Sequence, residues 1–349
     1  MFNQRPVNQH YVSRLLLKRF KLPGHPLECY DIALGQWKPK SVEKACADSG
    51  YNQLITSDGI DDTLEDEFSK VESRIPKAMR LLERIAGNGS ADLPAQAFTD
   101  LCQYCAFLTL SSIAAKASAV VNFVYNLNLE IEIGQRHLLR ELEIPEAIIA
   151  DWKPAVLSGN RVIIEADNAL QLIYRHQFRR RFGNECALYR HTKWVICKSP
   201  IDLPIADIGL VPLSQQEPKL NRYILPVGPR LVLQGIFFHD VSRNSRNQTL
   251  KRLLLTQEEA QECLDIICSA SVAELFCQKK IPEIGESLTR GKTAGVEFLQ
   301  ITNPREVIGA GLKISTNKIH FRVVSMSEFV AFVHSFIKPR RGKGEATGA

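Results

Sequence analysis

Near residue 185 the hydrophobic rhythm of this 349-residue chain changes. From about 61 to 184 apolar side chains recur every three or four residues, the period of helices that bury one face. In the first of them Leu64, Phe68, Val71, Ile75, Met79, Leu82 and Ile85 form the stripe, with acids early and Arg80 and Arg84 late. Pro76 lies inside this pattern and predicts a kink. Pro94 opens a second, more uniformly apolar helix running to about Tyr125, and helical spacing continues to Phe182. Beyond it, Cys186-Ala187-Leu188-Tyr189, Trp194-Val195-Ile196-Cys197, Tyr223-Ile224-Leu225 and Leu231-Val232-Leu233 are short β-favouring runs between Pro, Gly and Asp. Thr256 and Glu259 have capping-box spacing at the head of a helix expected over 256–278.

Helices followed by strands predict an α+β fold, a mostly helical N-terminal half followed by a sheet-containing half closed by a C-terminal helix. The expected division is a domain over 1–280, helical at 61–184 and strand-rich at 185–240. A small α/β extension at 281–337 carries a strand near 319–324 and a helix at 327–337, and 338–349 is a basic, disordered tail. Near the start, Val12, Leu15, Leu16 and Phe20 predict a short amphipathic helix. Cys29 to Trp37, around Gly35, predicts a hairpin.

Composition sets outer bounds. With 45% hydrophobic and 23% charged residues the chain is a globular protein rather than a disordered one. A net charge of +6 assists nucleic-acid binding without requiring it. Nine cysteines scattered over this length, with no signal-peptide pattern at the start, predict reduced thiols in a cytoplasmic protein. Polar residues interrupt even the apolar stretch 104–125, so no membrane span is expected.

The opening Asn8-Gln9-His10-Tyr11-Val12, followed by Leu16 and Phe20, resembles the Asn/Gln-His-Tyr-Val-Pro signature of the bacterial domain-of-unknown-function family DUF4238. Ser13 stands where the signature has proline. Leu64-Glu65 and Val71-Glu72 resemble the family's paired hydrophobe-Glu helix. Trp194-Val195-Ile196 leading to Ala206-Asp207-Ile208-Gly209 is similar to its tryptophan strand and Ser-Asp-Asn-Pro turn, of which only the aspartate survives. Leu225-Pro226-Val227-Gly228-Pro229 resembles its Leu-Ser-Pro strand. The Gln and Arg of the family's middle helix have no counterpart in 107–118. The resemblance covers about 8–280 and implies no established activity; the departures imply an altered or inactive site, if those residues form one.

Two function classes stay open. The first is a protein that binds a nucleic acid or a protein partner. Its candidate residues are Arg175, Arg179, Arg180 and Arg181, interleaved with Phe178 and Phe182 as phosphate grips beside stacking rings would be. The second is a metal-dependent hydrolase or nuclease, in a host-defence or mobile-element setting. There His10, Glu65, Glu72 and Asp207 would hold a divalent metal, with His10, Glu72 and Asp207 as the catalytic set. Glu65 and Glu72 are two helical turns apart, about 10 Å, on nearly one face. Each candidate also has a structural reading: His10 bonding a backbone carbonyl, Asp207 bonding its own turn, Phe178 and Phe182 packed in the core. Cys102-Gln103-Tyr104-Cys105 has CxxC spacing but no second ligand pair, which predicts buried thiols. No Gly-x-Ser-x-Gly, His-Glu-x-x-His, Walker or Gly-x-Gly-x-x-Gly motif is present, which removes the usual serine hydrolases, zincins, P-loop NTPases and dinucleotide enzymes.

Overall fold

The computed structural model describes residues 8–49, 54–56, 59–61, 63–142, 144–164, 167–215, 220–238, 248–293 and 321–337. The chain is α+β. Its elements run β1 (Asn8–His10), α1 (Arg14–Lys18), β2 (Leu27–Asp31), β3 (Gln36–Lys40), β4 (Ala47–Ser49), β5 (Leu54–Thr56), β6 (Gly59–Asp61), α2 (Thr63–Asn88), β7 (Ser90–Leu93) and α3 (Ala95–Ser111). There follow α4 (Ile113–Ile133), α5 (His137–Glu141), α6 (Glu146–Leu157), β8 (Arg161–Ile164), α7 (Asp167–His191), β9 (Lys193–Lys198), β10 (Ile205–Ala206), β11 (Val211–Gln215), β12 (Leu220–Gly228) and β13 (Leu231–Phe238). The last are β14 (Gln248–Leu254), α8 (Gln257–Ala270), β15 (Glu274–Cys277), α9 (Ile284–Thr293), β16 (Phe321–Val324) and α10 (Met326–Ile337).

The chain divides into two compact units, residues 1–115 with 178–298 and residues 116–177 with 299–349. In the first, six strands form a sheet in the order β11-β12-β13-β9-β14-β7, antiparallel except for the β9–β14 pair. A second sheet of four strands has the order β10-β15-β2-β3. The β2–β3 hairpin turns at Gly35, where φ is +64°, and Tyr30 meets Trp37 across it edge to face at 5.2 Å. Ile267, Leu264 and Cys263 of α8 pack on Cys197, Ile224 and Val232 of the large sheet. Gly235 makes room for that sheet's largest side chain, since a Cβ there would lie 2.7 Å from Trp194 Cζ3.

The second unit has its own core, in which Val120, Phe123, Val124 and Leu127 of α4 meet Val162, Ile163 and Ile164 of β8 and Val324 of β16. Buried polar groups pin its elements. Asn128 donates to Val124 O and Val162 O and accepts from Val162 N, tying α4 to β8. The buried Glu130 carboxylate accepts the N–H groups of Leu138 and Leu139, capping α5. The region after 281 is thus shared out, α9 falling in the first unit and β16 and α10 in the second. The expected tail at 338–349 lies outside the described residues.

Three boundaries differ from the sequence reading. The long helix from Pro94 ends at Ser111, because Ser112 is extended and its Oγ accepts Ala115 N–H as a cap for α4. Cys186 to Tyr189 is not a strand. It continues α7, where Phe178, Phe182, Cys186 and Tyr189 hold helical spacing and only the four-residue window looked extended. The helix expected over 256–278 keeps its capping box at Thr256 and Glu259 but stops at Ala270, and Glu274–Cys277 becomes β15. The reason is tertiary, and lies in Asp207. Pro76 lies inside α2, as expected, and the helix runs from Thr63 to Asn88 as one element.

Candidate functional site

Asp207 follows β10 and is fully buried. Its Oδ1 accepts Ser271 Oγ and Val272 N at 2.9 Å each, and its Oδ2 accepts Ala273 N at 2.7 Å and Glu274 N at 3.1 Å. Burial raises the carboxyl's pKa, and these four donors oppose the shift. They are the N–H groups that would otherwise continue α8, so Asp207 turns the chain out of the helix and into β15. Its lone pairs are committed to that task.

His10, at the end of β1, places Nε2 3.1 Å from Val42 O. A carbonyl only accepts, so this nitrogen carries the hydrogen. Burial is the main reason the ring's pKa lies below its ordinary value; the Val42 bond opposes it, and the nearby charges are Arg14 and Glu43. The ring thereby anchors the amino-terminal strand, beside the Tyr11 N to Cys46 O bond.

Glu72 occupies another place, on α2 with Glu65 two turns before it. Burial raises its pKa; the Ser13 hydroxyl lowers it, Glu65 raises it again and Arg14 lowers it. Neither His10 nor Asp207 is among the groups that act on it. Glu65 thus acts on Glu72 through its charge, and neither is joined to His10 or Asp207, which bond Val42 O and the 272–274 N–H groups. Among the described residues no three His, Cys, Asp or Glu side chains are placed to hold a metal. Two residues missed in the sequence belong to this neighbourhood: Ser13, in the signature's proline position, whose hydroxyl bonds Glu72, and Tyr104 of α3, on which the Glu72 charge acts.

The arginine segment is not one open face. Arg175 is buried. Arg179 lies 3.8 Å from Glu67, and Arg181 lies 3.2 Å from Glu185 one turn on. The side chain of Arg180 lies outside the described residues. Phe178 is buried against Phe68, ring centroids 5.0 Å apart, and stacks on Phe182. Cys102 and Cys105 are buried free thiols, and burial pushes Cys102 up to about 12.

A basic groove lies elsewhere in the same unit, with a volume of about 460 Å³. It is walled by Arg19 after α1, by Glu83, Ala86 and Gly87 of α2, by Lys198 of β9, and by the β12–β13 turn from Gly228 to Leu231. Arg19 Nη2 bonds Glu83 Oε1 at 2.6 Å while its Nε donates to Val227 O, so the guanidinium is fixed at the rim. Arg230 is oriented by Asp202 at 2.6 Å, and Lys198 is exposed. Arg19, Lys198 and Arg230 against Glu83 leave the lining net positive. No sequence signal marks the groove, because these cations are single residues far apart along the chain.

Sequence comparison places this geometry in a family. The profile described as "Protein of unknown function (DUF4238)" matches residues 8–280. The chain belongs to the DUF4238 family. The match runs from the His10 strand through β15, so it takes in the groove, the Glu72 neighbourhood and the Asp207 turn of this DUF4238 protein. No curated protein and no solved structure matches it. No helix among the described residues is long and apolar enough to cross a membrane.

Proposed function

We propose that this DUF4238 protein binds a nucleic-acid strand through the Arg19–Lys198–Arg230 groove and acts as a cytoplasmic binding protein rather than an enzyme. The observation that carries the reading is the convergence of three cations on one open groove, two of them held in place by carboxylates. Fixed guanidinium groups lose little freedom when they take a phosphate, and an exposed lysine adds a mobile charge. Phosphate contacts of this kind give affinity without sequence preference. The metal-dependent hydrolase reading on His10, Glu72 and Asp207 draws no support from the geometry, since the His10 ring and the Asp207 carboxylate are committed to backbone groups at separate places.

The test is fluorescence anisotropy with labelled single- and double-stranded DNA and RNA at low salt. Wild-type protein binds at least one of them, and the double variant Lys198→Glu, Arg230→Glu loses that binding while its circular dichroism is unchanged. Wild-type affinity in the double variant, or no binding by the wild type, refutes the reading.

A further inference from the structure

One wall residue of the basic groove is out of keeping with its neighbours. Glu83 of α2 stands among Arg19, Lys198 and Arg230 with its side chain 49% exposed. Its Oε1 holds Arg19 Nη2 at 2.6 Å, while its Oε2 takes no hydrogen bond from the described residues. Arg19 is fixed a second time through Nε to Val227 O, and its remaining N–H donors are left for an anion. Gly228 puts no side chain over this pair, since a Cβ there would lie 4.0 Å from Arg19 Nη2.

A carboxylate beside phosphate-binding cations repels a polyanion unless the polyanion also brings it a donor. The ribose 2′-hydroxyl is such a donor, and deoxyribose lacks it. The carbon that bears it adjoins the one that bears the 3′-phosphate, so a ribonucleotide presents a hydroxyl donor next to an anion. Arg19 and Glu83 present the complement, a cation next to an acceptor. We propose that the groove selects RNA over DNA, with Arg19 taking a phosphate and Glu83 Oε2 accepting the neighbouring 2′-hydroxyl. This rests on the groove binding a nucleic-acid strand and adds which strand it is. A site built to bond a hydroxyl discriminates well against the analogue without one. Asp202 supplies the contrast: it orients Arg230 as Glu83 orients Arg19, but it is not one of the residues that wall the groove.

Anisotropy titrations of the full-length protein with single-stranded RNA, DNA and 2′-fluoro RNA of one sequence test the selection. The fluoro strand keeps the ribose pucker but has no hydroxyl to donate. Wild-type protein is expected to bind RNA about tenfold more tightly than either of the others, the size of one hydrogen bond to a charged group. In Glu83→Ala, a change on the exposed face of a helix, the three affinities converge and DNA binds more tightly than to the wild type. Asp202→Ala weakens all three and keeps their ratio. Equal wild-type affinity for RNA and DNA, lost in Lys198→Glu, Arg230→Glu, overturns the selection and leaves the groove as a nucleic-acid site. An RNA preference that persists in Glu83→Ala, that collapses equally in Asp202→Ala, or that the fluoro strand shares also overturns it. Binding of none of the strands refutes the groove reading and this inference with it.

Discussion

Asp207 shows how one side chain sets the course of an element distant in sequence. Its carboxylate takes three successive N–H groups, Val272 to Glu274, plus the Ser271 hydroxyl. Asp207→Asn turns an amide N–H₂ toward N–H donors that then have no acceptor. It is expected to lower stability by about 2–4 kcal/mol, read as a lower urea midpoint. His10 gives a pH prediction with a definite sign. Its folded pKa lies below the ordinary 6.5, so the unfolded chain takes up the proton first as pH falls. The ring's contribution is therefore complete above pH 6.5 and is lost as pH drops through the lower folded value. His10→Gln keeps an N–H for Val42 O and removes the titration. Denaturant midpoints from pH 7.5 to 5 are expected to fall less steeply in that variant than in the wild type. The two aspects of these residues were unequally legible: a turn aspartate and a strand histidine suggest structural bonds as readily as ligands, and only their partners separate the two.

At the scale of elements, the large sheet depends on a close approach. Gly235 faces Trp194 in the β13–β9 register, and a Cβ there would meet Thr192 Cγ2 at 2.7 Å and Trp194 Cε3 at 2.8 Å. Gly235→Ala is expected to cost about 1–3 kcal/mol, seen in thermal unfolding and in a shifted Trp194 emission. Helices were legible wherever one buried stripe ran for many turns, as in α2, and where a side chain closed its own cap, as Thr256 does with Glu259. They were misread where their ends are set from outside. The Ser112 cap splits an apolar run that looks continuous, and α8 stops because Asp207 takes the next donors. The Cys186–Tyr189 run failed for a local reason: four apolar residues fit either period, and the Tyr189 hydroxyl, 2.6 Å from Thr109 Oγ1, belongs to a contact made in helical form.

For the whole molecule, the charge of +6 is too diffuse to predict a site, and the proposed binding rests on where a few cations fall. Counterion release gives it a measurable form. With Lys198 and the Asp202-oriented Arg230 as the groove's phosphate contacts, the salt slope of binding is expected to be shallow, near −2, and to flatten by about one unit per reversed cation. Charge reversal at Arg179 and Arg181, which sit beside Glu67 and Glu185, is expected to leave that slope unchanged. The sequence by itself determined the α+β class, the family and the stripes that build each core, because period and signature are written in neighbouring residues. Only the tertiary structure decided that Ser13 meets Glu72 and Tyr104, that His10 and Asp207 serve the backbone, and that three scattered cations share a groove. Those facts depend on contacts across tens to hundreds of residues, and no local pattern of side chains encodes which distant partner will arrive.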